Sequence, residues 1–313
     1  MNRSWLRRHR REMTVLALYL LFLGGLALRV PGFFKGDQLR ALSVSTASVL
    51  IAAIGMTMVM ITRQIDISIG SQFSVCGVVA GLLARAGMPL PVVGLGVLVS
   101  GALMGAFNGV LIAALGLPSI VVTLATLVIL RESLRWTREG EFVRNLPEGF
   151  QWFGLGQTNG QWVVIGVAIG LTIVFAWGLR NLGAGRAIYA TGSDPEAARL
   201  VGIRPRSVTF QVFVAMGALA GLAAWVNAIR FVDVDPNSGA GLELQAIAAV
   251  VVGGVAVSGG RGTLLGTFIG VLLLGSIGPA LVFLGIQPQW EKAIQGMIIL
   301  LAVASDSFNK EGR

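Results

Sequence analysis

Ionisable residues are scarce in this chain, so each one set among apolar neighbours stands out. Arg63 and Asp66 interrupt the stretch 55–71, GMTMVMITRQIDISIGS, three residues apart. That spacing lets the two pair if the backbone stays helical, and ionisable groups near membrane depth usually face a cavity or a partner. The other reading is a tight turn, with Arg63 as its anchor and Asp66 as the cap of the next helix. Residues 65–70, Ile-Asp-Ile-Ser-Ile-Gly, alternate apolar with polar or small side chains. Extended backbone of that kind is tolerated in a membrane only where it lines a cavity or is buried in protein. Asp66 and Ser68 are therefore candidates for meeting a polar molecule. So are Glu243 and Gln245, which follow the acidic, turn-rich segment 230–244, RFVDVDPNSGAGLEL. Asn108, a lone amide in an apolar run, joins them as either a pathway residue or glue between helices.

Other chemistry is set aside by what is missing from the sequence. His9 is the only histidine and Cys76 the only cysteine, which argues against metal clusters, Ser-His or Cys-His catalysis and an intrachain disulfide. The three lysines, Lys35, Lys292 and Lys310, do not follow glycine, so there is no phosphate-binding loop of the G-x-x-x-x-G-K type. Residues 258–262, Ser-Gly-Gly-Arg-Gly, lack both that lysine and a preceding strand, and read as a tight turn. We expect no catalytic residue, no metal, no cofactor and no ATP hydrolysis by this chain.

What must position the candidates is a set of long apolar segments. Charged residues make up 12% of the 313, there are 43 glycines, and more than half of the chain is apolar. That composition belongs to a polytopic membrane protein. The net charge of +9 resides in arginines placed mainly between apolar runs, which fits the positive-inside rule better than nucleic-acid binding. We expect an all-α bundle of about ten spans, over 13–28, 41–62, 67–84, 91–115, 118–136, 161–180, 208–229, 244–258, 262–283 and 291–305. It forms a single domain, 1–313, with a basic tail over 1–12 and both termini in the cytoplasm. Arg131, Arg135, Arg138 and Arg144 fall on the expected outer side and weaken the charge bias. Trp136, Trp152 and Trp162 read as interfacial anchors.

The longest polar interruption, 181–207, carries a helix of its own. Ser193 or Asp194 suits the cap, Pro195 the first helical position and Gly202 the position after the end. Glu196, Ala197, Ala198 and Arg199 lie between, followed by the apolar tip Leu200-Val201. A helix of about seven residues is too short to stand alone in water. It is either a surface helix between spans or a docking helix received by a groove of a cytoplasmic partner.

A possible internal repeat links two spans. Residues 101–113, GALMGAFNGVLIA, and 262–274, GTLLGTFIGVLLL, agree at seven of thirteen positions. Each sets glycines four apart, Gly101, Gly105 and Gly109 against Gly262, Gly266 and Gly270, the spacing that lets helix backbones approach closely in lipid. Five spans apart, the two would cross in opposite directions, as in an inverted-topology repeat. Chance likeness between glycine-rich helices is the alternative.

Taken together, the stretches 55–71, 105–123 (GAFNGVLIAALGLPSIVVT), 183–203 and 239–262 resemble four ordered motifs of the permease subunits of bacterial ABC-type sugar importers. These are the ribose, xylose, galactose, rhamnose and autoinducer-2 group, and the likeness covers nearly the whole chain beyond residue 40. Residues 62–66, 189–192 and 241–243 look most like the autoinducer-2 or rhamnose members. Asp194 departs from the asparagine of many relatives, and either residue caps a helix. The resemblance implies a bacterial inner-membrane subunit that pairs with a second permease, identical or paralogous. It implies a periplasmic sugar-binding protein and two cytoplasmic ATPase subunits as partners. The 193–202 helix would be the contact that the ATPases move, with Gly183, Gly185 and Gly192 as hinges. A secondary transporter driven by protons or sodium is the competing class. Such a carrier keeps ionisable residues inside its spans, where Asp66 is the one candidate, and it has no need of a helix offered to the cytoplasm.

Overall fold

The computed structural model describes residues 10–298 and 300. The chain folds as helices α1 (Arg10–Arg29), α2 (Gly36–Ile61), α3 (Ile69–Arg85), α4 (Leu90–Gly109), α5 (Ser119–Arg138) and α6 (Gln157–Asn181). They are followed by α7 (Gly183–Ser193), α8 (Pro195–Leu200), α9 (Pro205–Ala228), α10 (Leu242–Val252) and α11 (Leu264–Phe283). A π-helical turn, Val110–Ala114, extends α4, and residues 290–298 are helical again.

An all-α membrane fold is what the apolar pattern called for; the span count is not. Among the described residues, six helices are long and apolar enough to cross a membrane: α1, α2, α4 with its π turn, α6, α9 and α11. The apolar helices α3 and α10 have only 17 and 11 residues. At 1.5 Å per residue α10 reaches about 16 Å, roughly half of a bilayer core. The expected span 244–258 fails because its second half is turn: α10 stops at Val252, and Gly254 takes a positive φ of 92°. The second half of α5 carries Arg131, Glu132, Arg135 and Arg138. The expected span 291–305 runs beyond the described residues, as does most of the basic tail.

Burial separates a centre from a rim. The most apolar window of α2 is 89% buried, whereas that of α1 is 11% buried. A helix apolar all round belongs inside, and α2 packs against α6, α7, α9, α10 and α11. Thr57 of α2 shares a 2.8 Å hydroxyl hydrogen bond with Thr267 of α11.

Glycine sets the closest approaches. On α4, Gly101 and Gly105 face the backbone of Gly217 and Phe213 on α9, and Gly109 faces Phe210, so a Cβ at any of them meets the other helix. On α11, Gly266 and Gly270 face the backbone of Gly253 and Ala249 at the end of α10. Gly262 is not a helix-packing residue: it lies in the turn before α11, with φ 149° and Val255 beside it. The two similar stretches thus stand at opposite ends of their helices, one closing α4 and the other opening α11, with different partners. They share a packing device.

Candidate functional site

The break between α2 and α3 gathers three of the sequence candidates. Helix α2 ends at Ile61, Arg63 turns the chain with φ 64°, and residues 64–67 are neither helix nor strand. Asp66, fully buried, accepts hydrogen bonds from the Ser68 N–H (2.9 Å) and hydroxyl (2.5 Å) through Oδ1, and from the Gln72 amide (3.3 Å) through Oδ2. These bonds tie Asp66 to the approach to α3, but the N-cap is Ser68 with no side-chain cap bond, so Asp66 does not cap the helix as the turn reading expected. Ser68 Oγ also accepts from Gln72 Nε2 (2.7 Å) and from Asn108 Nδ2 (2.9 Å). Asn108 Oδ1 in turn accepts from the Thr126 hydroxyl of α5 at 2.7 Å. This node joins the break, α3, α4 and α5. Ser119 and Thr123 brace the irregular backbone from the start of α5, bonding Ile65 N and Ile65 O at 3.2 and 3.4 Å. Irregular backbone away from water needs such partners.

Gln72, Ser119, Thr123 and Thr126 were not singled out by the sequence reading. A signal existed: Ser119, Thr123 and Thr126 recur at i, i+4 and i+7, a polar stripe on an otherwise apolar helix. Gln72 keeps Oε1 buried with no hydrogen-bond partner among the described residues.

Arg63 and Asp66 do not pair. The Arg63 guanidinium turns away, donating through Nε to Gly192 O at 2.5 Å and through Nη2 to Ser193 O. Those carbonyls close α7, directly before α8. The 259–262 turn completes this junction: Gly260 N donates to Ile61 O at 2.8 Å, and Tyr189 donates its hydroxyl to Gly262 O at 2.7 Å. Burial, with Glu12 close by, raises the Tyr189 phenol above its ordinary pKa. The Thr263 hydroxyl reaches Glu12 at 2.6 Å, which brings the start of α1 to the same end of the bundle. Gly192 sits against Ile61 O and Gly260 N, and Gly185 against the backbone of Leu179. These two glycines, and Gly183 with them, lie within α7. Gly185 and Gly192 are points of close approach, not the hinges expected.

Helix α8 has the expected cap. Asp194 accepts from the N–H groups of Glu196 (2.9 Å) and Ala197 (3.1 Å), Pro195 is first in the helix, and Gly202 follows with φ 83°. Glu196 and Arg199 pair across one turn at 2.9 Å. Leu200 and Val201 are exposed, at 90% and 74%, whereas Ala198 is buried. The outward surface is thus Glu196, Ala197, Arg199, Leu200 and Val201, and Ala198 seats the helix on its own protein.

Glu243 opens α10 beside Gly70, where the small residue leaves room for its carboxylate, and faces Arg131 of α5 at 3.6 Å. It stands next to the node without joining it, and Gln245 lies half-buried on the same helix. The segment before α10 descends along α3: Val234 meets Gly81, Ser238 is near Gly77, and Gly239 lies on Gly70 with its N–H on Ser74 Oγ at 3.0 Å. Glycines at 70, 77 and 81 open this face of α3 to a non-helical neighbour. Trp136 and Trp162 are exposed, while Trp152 is half-buried with its backbone N–H donating to Ile229 O at 2.9 Å.

Comparison with known proteins places this geometry in context. Residues 39–303 match the family described as the branched-chain amino acid transport system permease component. The autoinducer 2 import system permease protein LsrC of Salmonella typhimurium is 36% identical, covering 97% of this chain and 87% of its own length. Its namesake from Escherichia coli K12 is 37% identical, over 96% and 87%. No solved structure matches.

Proposed function

The chain belongs to the permease-component family of the branched-chain amino acid transport systems, and we propose that it forms the membrane path of an ATP-driven importer for a monosaccharide or sugar-like molecule. The substrate arrives on a periplasmic binding protein, a second permease completes the channel, and cytoplasmic ATPase subunits drive it. The sugar reading rests on relatives that are autoinducer 2 import permeases. Rhamnose, ribose, xylose and autoinducer-2 are the candidates.

One observation carries the coupling: an exposed, capped helix is hydrogen-bonded through its root to the turn that leads into the buried polar node. An ATPase that grips Glu196, Ala197, Arg199 and Leu200 would move the carbonyls of Gly192 and Ser193, and with them Arg63. Three residues on is Asp66. The proposal makes Asp66, Ser68 and Asn108 the polar floor of the path, with Glu243 and Gln245 beside it. The basic residues Arg3, Arg7, Arg8, Arg10 and Arg11 favour a cytoplasmic N-terminus, and the Glu12–Thr263 contact carries the α8 end to that side.

The test is a pull-down from native membranes with the co-purifying proteins identified. A Walker-A ATPase in the complex, and ATP-dependent sugar uptake by it in liposomes, are the expected results. Recovery of the chain alone, moving sugar under an ion gradient without ATP, would establish a secondary transporter instead.

A further inference from the structure

Helix α5 is buried along one half only. Its buried residues, Ser119, Val122, Thr123 and Thr126, all lie before its midpoint. The helix starts beside Ile65 and rises with α3: Ser119 meets Ile65, Arg131 lines a cavity with Ser71 and Ser74, and Val143, beyond the helix end, meets Gly81. In the second half, Arg131 reaches across to Glu243 of α10. The pairs Arg40–Asp37, Arg135–Glu132 and Arg199–Glu196 each stay within a turn of one helix; this one joins two helices.

The pair is close but not fastened. Arg131 Nη2 stands 3.6 Å from Glu243 Oε1, beyond the roughly 2.7–3.2 Å of an N–H···O hydrogen bond. That nitrogen and the other carboxylate oxygen, Oε2, are both buried without a hydrogen-bond partner among the described residues. Oε2 lies where a Cβ on Gly70 would stand. Charge holds such a pair together without directional bonds, so it parts more easily than a buried, hydrogen-bonded one. Beside it is a cavity of about 80 Å³, walled by Ser71 and Ser74 of α3, Arg131 and Leu134 of α5, and the turn at Pro236 and Asn237. Ser71 connects that cavity to the node, donating its hydroxyl to Ser68 O at 2.9 Å.

We propose that Arg131 and Glu243 form the outer latch of the path. While the pair holds, α5 and the turn before α10 close over Ser71. When it parts, they separate, and the small cavity widens down to Ser71 and the node. The inference rests on the importer reading and adds the residues that shut the path on its outer side. Gly70 belongs to the device, because a side chain there would displace the Glu243 carboxylate. Arg135 does not, being engaged by Glu132 at 3.2 Å.

Alkylation of Ser71→Cys by iodoacetamide tests the latch, on protein carried from native membranes into nanodiscs with whatever subunits accompany it. The reagent is neutral and so blind to the charge that a substitution removes. Ser71 is 2% exposed, so labelling should be slow with the pair intact. Arg131→Gln and Glu243→Gln should each speed it, about two- to fivefold for a partly exposed ion pair, and Arg131→Lys should keep the slow rate. The double variant should label no faster than the quicker single one, since one contact cannot be broken twice. Cys76, fully buried, reports on the fold in the same sample and should stay unlabelled. Unchanged rates in both single variants, multiplied effects in the double one, or labelling of Cys76 at the same pace would overturn the latch. Labelling needs no ATP, so the two readings fail separately. ATP-driven uptake with unchanged labelling counts against the latch; the expected labelling with transport driven by an ion gradient alone counts against the importer.

Discussion

Asp66 holds its place through neutral donors, and that sets what each substitution costs. Asp66→Ala leaves the Ser68 N–H, the Ser68 hydroxyl and the Gln72 amide without their acceptor. At about 1–3 kcal/mol for each buried orphan, the variant should unfold well below the parent in a detergent thermal scan. Asp66→Asn keeps Oδ1, and Gln72 can turn its unpartnered Oε1 toward the new amide. It should fold and assemble nearly as well, yet import more slowly; normal uptake would leave Asp66 a structural anchor alone. Arg63 offers a similar separation. Its positive φ costs roughly 1 kcal/mol that glycine avoids, so Arg63→Gly recovers part of the stability lost by cutting both bonds to α7. Fewer sugars per ATP hydrolysed is the expected result, and an unchanged ratio would remove Arg63 from the transmission.

Element by element, what could be read in advance followed local chemistry. The α8 boundaries came from Asp194, Pro195 and Gly202, because a cap, a first-turn proline and a left-handed glycine act within a few residues. The length of α10 did not, since apolar composition continues through Gly253–Val257 after the helical hydrogen bonds have stopped. The Gly253-Gly254 pair was the available signal. The node was half legible: Asp66, Ser68 and Asn108 stood out as polar among apolar, but their meeting depends on how α4 and α5 pack, which spacing along one chain does not encode. At this scale Glu196→Lys and Arg199→Glu should each weaken co-purification of the ATPase, with membrane insertion unchanged. Gly192→Leu should do more, because its side chain has no room between Ile61 O and Gly260 N. It should shift α8 bodily and lower both ATPase binding and thermal stability.

In the whole molecule, packing by small residues replaces the hydrophobic drive that lipid cannot supply. Gly105→Leu, which sets a side chain against the Phe213 backbone, should part α4 from α9 and lower the unfolding midpoint in a thermal scan; an unshifted midpoint would mean that the contact carries little. The burial of α2 has a consequence for how the chain is made. Thr57 finds Thr267 only 210 residues later in the sequence. At about 10 residues per second that is a wait of roughly 20 s. During that interval a helix destined for the centre has only lipid and unfinished neighbours around it. The protein is thus built inside out, its core helix among the first made and the last enclosed, and a ribosome that stops before α11 leaves behind a product with its middle exposed.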